Sequence, residues 1–145
     1  MKLSEHFTLA ELTRTNKPFP NTPTAYDIRN GRRLCEHLEV IRFHCCPKSG
    51  LLVTTNGGFR SVEVNRASGG VPESAHRFFC AADIRPVDPA ECSVEELWRR
   101  IPKLGLQFDQ VIWEPDQNVV HYGISRPGYH GDLPRLMHFV QNMGR

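Results

Sequence analysis

Hydrophobic positions recur at helical spacing over a long early segment of the chain. Between about residues 24 and 46, apolar side chains fall three, four or seven positions apart, with polar side chains between them. This period places the apolar side chains on one helix face, so it predicts a long amphipathic helix that ends before Pro47. The apolar positions are Ile28, Leu34, Cys35, Leu38, Ile41 and Cys45.

Two short motifs predict where further helices begin. Thr8 precedes Glu11 by three positions, and Ser93 precedes Glu96 by the same distance. In such a capping box the hydroxyl and the carboxylate each accept a hydrogen bond from a backbone N–H group of the first turn. Short helices are therefore expected to begin at Thr8 and at Ser93. Another short helix is expected within residues 59–67.

Shorter apolar runs bounded by turn residues predict strands. Such runs occupy residues 51–55, 80–84, 108–113 and 119–124, and the last two are close enough in the chain to pair as an antiparallel hairpin. Residues 133–143 are predicted to form a last helix. Because helices come early and strands mostly late, without regular alternation, the pattern is typical of the α+β class.

Composition narrows the function classes without selecting one. The 145 residues are expected to form one domain over residues 1–145, and the formal net charge of +2 is spread along the chain. We therefore expect no nucleic-acid partner. No apolar run approaches the ~20 residues of a membrane span, so no membrane insertion is expected. The polar N-terminal residues lack a signal-peptide pattern, which predicts synthesis in the cytoplasm.

The cysteines and most histidines are predicted to have structural roles. Five cysteines without a CxxC spacing argue against a disulfide framework and against a four-cysteine zinc site, so reduced, partly buried thiols are expected. Five of the seven histidines lie in polar or helical surroundings that predict surface or packing roles, namely His6, His37, His44, His130 and His138.

The two other histidines suggest a metal site together with an aspartate. His76 lies in a predicted loop seven residues before Asp83, which lies on a predicted strand. His121 lies inside an apolar strand and faces away from Val120 and Tyr122 if the strand alternates. Two imidazoles and a carboxylate suit Zn²⁺ and leave a fourth position for water, as in catalytic zinc sites. A histidine and an aspartate at this spacing also recur by chance, so the spacing alone favours ordinary structural roles.

A series of motifs in order resembles the zinc D-Ala-D-Ala carboxypeptidase family, which has the Hedgehog/DD-peptidase fold. The resemblance covers roughly residues 3–125, and residues 3–12 and 108–114 are similar to phage and prophage members. The motifs are Gly58-Phe59-Arg60-Ser61, Asn65, Gly69-Gly70, Ser74-Ala75-His76 followed by Asp83, and His121 in an apolar strand. The resemblance implies an α+β fold with a small antiparallel sheet and helices packed on one side.

The same resemblance implies roles for individual residues. It implies Zn²⁺ as the cofactor, with His76, Asp83 and His121 as the metal ligands. Arg60 is expected to hold a substrate carboxylate or the oxyanion formed during attack. Ser74 is expected either to donate a hydrogen bond to the substrate or to orient the loop that carries His76.

The chain departs from the family pattern at positions near the expected site. Phe79 replaces a usual glycine, and its ring is expected to reshape or block the pocket. Val119 replaces a usual tryptophan. Asn118 stands where many relatives have an acidic residue, so Glu114, an acidic position in phage-type relatives, is the candidate general base. Asp116 is the second candidate, and the alternative is that both carboxylates only solvate the hairpin turn.

The expected function is zinc-dependent hydrolysis of the peptidoglycan stem peptide, at either the D-Ala-D-Ala or the L-Ala-D-Glu bond. A monomeric phage lysin or prophage protein is expected, which would reach the cell wall after the inner membrane is breached, or as part of a virion. The alternative is a non-catalytic descendant that binds the cell wall or serves as a phage structural protein. A related small amide or peptide is a third possible substrate.

Overall fold

The computed structural model describes residues 1–128 and 133–141. Within these residues the helices are α1 (Leu9–Leu12), α2 (Ala25–Cys45), α3 (Val62–Ala67) and α4 (Val94–Arg100), with 3₁₀ helices at Ala75–Phe78 and Ile101–Leu104. The strands are β1 (Leu51–Val53), β2 (Ala81–Pro86), β3 (Gln110–Glu114), β4 (Val119–Gly123) and β5 (Met137–Val140). The predicted α+β class is confirmed.

The strands form one sheet in the order β1-β2-β4-β3-β5. The pairs β1–β2, β2–β4 and β3–β4 are antiparallel, and only β5 pairs in parallel, along the edge of β3. The predicted hairpin is therefore present as β3 and β4. The sheet is antiparallel as expected, apart from its added edge strand.

The long helix α2 begins and packs as its pattern predicts. Thr24 accepts a hydrogen bond from the backbone of Asp27, and the Asp27 carboxylate accepts one from the backbone of Thr24. The buried face of α2 includes Leu34, Leu38 and Ile41, each with no exposed surface. This face belongs to the same apolar cluster as the inner face of the sheet, so α2 covers one side of the sheet.

Alternation along the strands sends two sets of side chains to opposite faces. Ile84, Val111, Val120 and Tyr122 belong to the apolar cluster beneath the helices. The residues that alternate with them along each strand face the other side. Across the sheet, Asp83 pairs with His121, His121 with Ile112, and Ile112 with Phe139. The face opposite the helices thus carries a continuous row of side chains, in strand order Asp83, His121, Ile112 and Phe139.

The helix predicted over residues 133–143 is wrong. Met137–Val140 forms β5, and residues 142–145 lie outside the described part of the chain. Leu136 has a φ of 53°, which interrupts any right-handed helix at that point. The open edge of β3 supplies hydrogen bonds that local sequence cannot reveal, for example from Met137 N–H to the Asp109 carbonyl at 2.9 Å.

Phe79 packs into the core, contrary to the expectation that its ring reshapes or blocks the pocket. Its side chain has no exposed surface, and its ring centroid lies 5.5 Å from that of Phe59. The backbone of Phe79 has a φ of 62°, the left-handed region that favours glycine, which accounts for the usual glycine at this position. A phenylalanine is accommodated because Gly31 on α2 leaves space for the ring.

Gly31→Ala is expected to destabilise the protein by about 1–2 kcal/mol, although alanine is the better helix former. A Cβ at Gly31 would lie 2.8 Å from Cδ2 of the buried Phe79 ring, and overpacking of this kind typically costs ~1–3 kcal/mol. The gain in helix propensity is only ~0.5–1 kcal/mol. Chemical denaturation of the single and double variants measures the difference. In a Phe79→Leu background the same substitution is expected to become neutral or stabilising; an equal loss in both backgrounds would contradict the contact.

A histidine–tyrosine pair lies under the sheet. The Tyr122 hydroxyl lies 2.6 Å from Nδ1 of His37, and Tyr122 is fully buried. Burial lowers the pKa of His37, with the positive charge of Arg33 acting in the same direction. The neutral imidazole can accept a hydrogen bond from the tyrosine, whereas the protonated ring cannot.

The free energy of unfolding is expected to fall as the pH drops below about 6.5, partly because of His37. The pKa of His37 is lower in the folded than in the unfolded state, so the unfolded state binds the proton first. The contribution of one such group is at most ~1.4 kcal/mol per pH unit. Urea denaturation between pH 7.5 and 5.5 measures the slope. His37→Gln should reduce it, and His44→Gln, at an exposed position of the same helix, should not.

The thiols are free and buried, as expected. Burial raises the pKa of Cys35, Cys46 and Cys80 to about 12, so these thiols stay protonated at neutral pH. In residues 1–128 and 133–141, no helix combines the length and the apolar character needed to cross a bilayer.

Candidate metal centre

Two hydrogen bonds hold His76 in place, one at its backbone and one at its ring. It lies in the 3₁₀ helix Ala75–Phe78, and the hydroxyl oxygen of Ser74 caps this helix by accepting a hydrogen bond from His76 N–H at 3.3 Å. Nδ1 of His76 lies 2.9 Å from the carbonyl oxygen of Gly58, so Nδ1 carries the proton and donates it. The lone pair of Nε2 is therefore available, and a histidine oriented through its second nitrogen is typical of metal ligands.

Asp83 and His121 are brought together by strand pairing. They are directly opposite each other on β2 and β4, and both side chains point away from the helices. Oδ1 of Asp83 lies 3.4 Å from Nε2 of His76 and 3.2 Å from Nδ1 of His121. Residues far apart in the chain thus place three donor atoms within 4.8 Å of one another.

The spacing of these donors fits a zinc ion. Tetrahedral coordination with bonds of ~2.0–2.1 Å places neighbouring donor atoms ~3.3–3.4 Å apart. The two separations from Asp83 Oδ1, 3.4 and 3.2 Å, are close to this spacing, and all three donor atoms lie within 4.8 Å of one another. The donor set of two imidazoles and one carboxylate is also one that zinc accepts while keeping a fourth position open.

The electrostatics of the group favour the protonation states that metal binding requires. Burial of Asp83 opposes ionisation, but the two imidazoles outweigh it and hold the pKa of Asp83 below its ordinary value. Burial lowers the pKa of His76, since it disfavours the imidazolium. At neutral pH the site therefore offers an ionised carboxylate and a neutral imidazole, and neither has to lose a proton when a cation binds.

Arg60 lies beside the metal group but is largely committed to the protein. Its Nε donates to the carbonyl of Asn56 at 2.8 Å, and Nη1 donates to Oδ1 of Asn65 at 3.4 Å. Its Nη2 lies 3.6 Å from Oδ2 of Asp83. Arg60 thus steadies the Asp83 oxygen that faces away from the histidines, and its part-buried guanidinium also lines a cavity of about 330 Å³ with His76 and Glu114.

Glu114 lies at the site, whereas Asp116 does not line it. Glu114 lines the cavity of about 330 Å³ and the larger groove described below, in both cases with His121. Burial raises the pKa of Glu114, and the negative charge of Asp83 raises it further. Asp116 is exposed on the turn after β3. Asn118 is exposed on the same turn with a φ of 55°, a conformation that asparagine tolerates well.

A groove of about 500 Å³ leads away from the metal group along β3. Its floor and walls combine apolar and polar side chains, and one wall carries the Arg126 guanidinium stacked 3.8 Å above the Phe78 ring. Ser74 lines both this groove and the smaller cavity. Ser74 therefore orients the His76 loop and also faces the space where a ligand would lie.

Fold and site together define a class of protein. Three buried or part-buried donors with zinc-like spacing beside an open groove, on an α+β scaffold, are characteristic of a single-metal hydrolase. The family model for peptidase M15 matches residues 5–121. The chain belongs to the peptidase M15 family, so it is a metallopeptidase of a zinc-dependent family, and the resemblance to the D-Ala-D-Ala carboxypeptidase type is confirmed. No curated protein sequence matches the chain at a significant level.

Sequence reasoning missed two parts of the site. The Gly58 carbonyl that orients His76 went unnoticed, although Gly58 opens the Gly-Phe-Arg-Ser motif. A Cβ at Gly58 would overlap the backbone of Leu12, so glycine is required there for packing. The groove wall formed by Phe139 and Gln141 was also missed, because the segment carrying it was predicted to be helical.

Proposed function

We propose that this protein hydrolyses peptide bonds in the stem peptide of bacterial peptidoglycan, with zinc bound by His76, Asp83 and His121. The observation that carries the proposal is the convergence of these three donors beside Glu114, at one end of an open groove. Membership of the peptidase M15 family supports the reaction class. The cell-wall substrate and a role as a phage lysin rest on the motifs shared with phage-type relatives.

The residues around the metal group divide the reaction between them. Bound zinc supplies Lewis acidity, which polarises a carbonyl and makes water easier to deprotonate near neutral pH. Glu114 accepts the proton of the attacking water as the new C–O bond forms, and returns it to the leaving nitrogen as the C–N bond breaks. Burial and the negative charge of Asp83 raise the pKa of Glu114, which makes its carboxylate a stronger base than an exposed glutamate.

Arg60 and Ser74 are assigned to substrate binding. The Arg60 guanidinium keeps its orientation through Asn56 and Asn65, so hydrogens not used in these contacts can bind a substrate carboxylate or the developing oxyanion. The Ser74 hydroxyl already accepts from His76 N–H and can donate its own hydrogen to a substrate carbonyl.

Incubation of the purified, zinc-loaded protein with peptidoglycan tests this function. Mass spectrometry of the soluble products would identify the cleaved bond, since cleavage at D-Ala-D-Ala releases free D-Ala and cleavage at L-Ala-D-Glu releases a peptide that begins at D-Glu. Hydrolysis should stop with a chelator and return with added zinc. Binding to peptidoglycan without any metal-dependent product would contradict the proposal and favour the non-catalytic cell-wall-binding or phage structural protein instead.

A further inference from the structure

An aromatic side chain extends the metal group across the sheet. Phe139 on β5 is the register partner of Ile112, and Ile112 is the register partner of His121. Neighbouring strands lie ~4.8 Å apart, so the Phe139 backbone lies ~10 Å from that of His121 on the same face of the sheet. Ile112 is buried between them, and Phe139 keeps 37% of its surface exposed. Phe139 thus offers an accessible apolar surface within reach of a ligand at the metal.

The groove is long enough for an extended peptide. Gln110, Ile112 and Glu114 share one face of β3 and line the groove in succession. At ~3.3 Å per residue, the distance from Glu114 to Gln110 is ~13 Å, which about four residues of an extended peptide would also span. A dipeptide would occupy only the end of the groove beside Glu114. The shape therefore matches a longer chain better than a dipeptide.

The outer wall of this groove is held firmly before any ligand arrives. Arg135 donates from Nε and Nη2 to the two carboxylate oxygens of Asp109 at 2.9 and 2.7 Å. Trp98 on α4 donates from Nε1 to the Phe139 carbonyl at 3.1 Å, and its ring stacks on His138 at 4.1 Å. Because these side chains are already ordered, little conformational entropy is lost when a ligand binds, and more of the contact energy contributes to affinity.

The wall lies outside the part of the chain that the peptidase M15 model matches. That match ends at residue 121, the last candidate metal ligand, whereas Phe139 and Gln141 lie beyond it. Gln141 follows β5 directly, and its backbone N–H donates to the Trp113 carbonyl at 2.8 Å. Its side chain lines both the groove and the metal cavity, so its amide is placed to bind peptide backbone groups.

We infer that Phe139 and Gln141 are specificity-determining residues, and that the substrate is an extended peptide with about four residues in the groove on one side of the scissile bond. This inference rests on the proposed hydrolysis at the metal group. Phe139 packs against an apolar part of the peptide, Gln141 binds its backbone, and β5 sets the distance of both from the metal. Dipeptides make neither contact fully and bind less tightly.

Calorimetry on the zinc-loaded Glu114→Gln protein tests the inference separately from hydrolysis. The probes are a stem pentapeptide and the dipeptides D-Ala-D-Ala and L-Ala-D-Glu. The pentapeptide is expected to bind at least tenfold more tightly than either dipeptide. Adding Phe139→Ala should lower this preference by about tenfold, the change expected when a ligand loses its apolar contact with part of an aromatic ring. Val140→Ala is the matched control, because Val140 is exposed on the neighbouring position of β5 and faces the other side.

The outcomes separate the two proposals. Equal affinities for pentapeptide and dipeptides would overturn the inference, as would a preference that both Phe139→Ala and Gln141→Ala leave unchanged. A Phe139-dependent preference in a protein whose unsubstituted form releases no product would uphold the groove assignment and overturn the hydrolysis. Circular dichroism of each variant confirms that the exposed substitutions leave the fold intact.

Discussion

Asp83→Asn is expected to abolish hydrolysis and to weaken zinc binding by more than about 100-fold. Losing an outer-sphere partner of a metal ligand lowers metal affinity by up to about 100-fold, and losing a ligand itself should lower it further. Its Oδ1 is the donor that both histidines approach, at 3.4 Å from His76 and 3.2 Å from His121. A neutral amide keeps the size of the side chain but removes the negative charge that a dication requires. It also removes the anionic partner of the part-buried Arg60 guanidinium. Competition with a chromophoric chelator measures the zinc affinity.

Asp116→Asn is the matched control for this substitution. It removes the same charge from an exposed position on the turn after β3, and zinc affinity should remain within about twofold, as expected for a surface change away from the site. Thermal unfolding of the metal-free proteins separates loss of the ligand from loss of the fold. Asp83→Asn protein that bound one zinc with unchanged affinity would remove Asp83 from the metal site.

Strand alternation could be predicted from the sequence, but strand register could not. The apolar positions Val120 and Tyr122 predicted that His121 points to the other side of its strand, and the structure places them on opposite faces. The pairing of His121 with Asp83 depends on how β2 and β4 align across the sheet. No local pattern sets that alignment, so the motifs of the family were needed to connect the two residues.

The errors near the site share a physical cause. The sequence shows a large ring at position 79 beside a candidate metal ligand, but the direction of this ring depends on a positive φ and on Gly31, which is remote in the chain. The helix predicted for the tail is wrong because β5 forms by pairing with the open edge of β3, and the local sequence does not show that edge. In both cases distant residues decided the local structure, and in the second case they also created a wall of the groove beside the metal group.

Glu114→Gln is expected to reduce kcat for peptide hydrolysis by about 10²–10⁴-fold, the usual contribution of a general base, while the zinc content stays unchanged. Glutamine nearly preserves the shape of the side chain that lines the two cavities beside His121, but it cannot accept a proton from water. The substitution also removes a half-buried charge whose pKa is raised by burial, so the folded state should not lose stability. The test is to measure the steady-state rate at which peptide product is released, together with the zinc content of the same samples.

Asp116→Asn distinguishes Glu114 from the other acidic residue of the β3–β4 connection. If Glu114 is the base, Asp116→Asn should retain kcat within about twofold, because a surface substitution away from the site has a small effect. If Glu114→Gln keeps full activity and Asp116→Asn loses it, the proton is handled from the turn, which would have to fold over the metal during turnover. Full activity of both variants would show that neither carboxylate takes the proton, and the reaction would then need a base outside β3 and this turn.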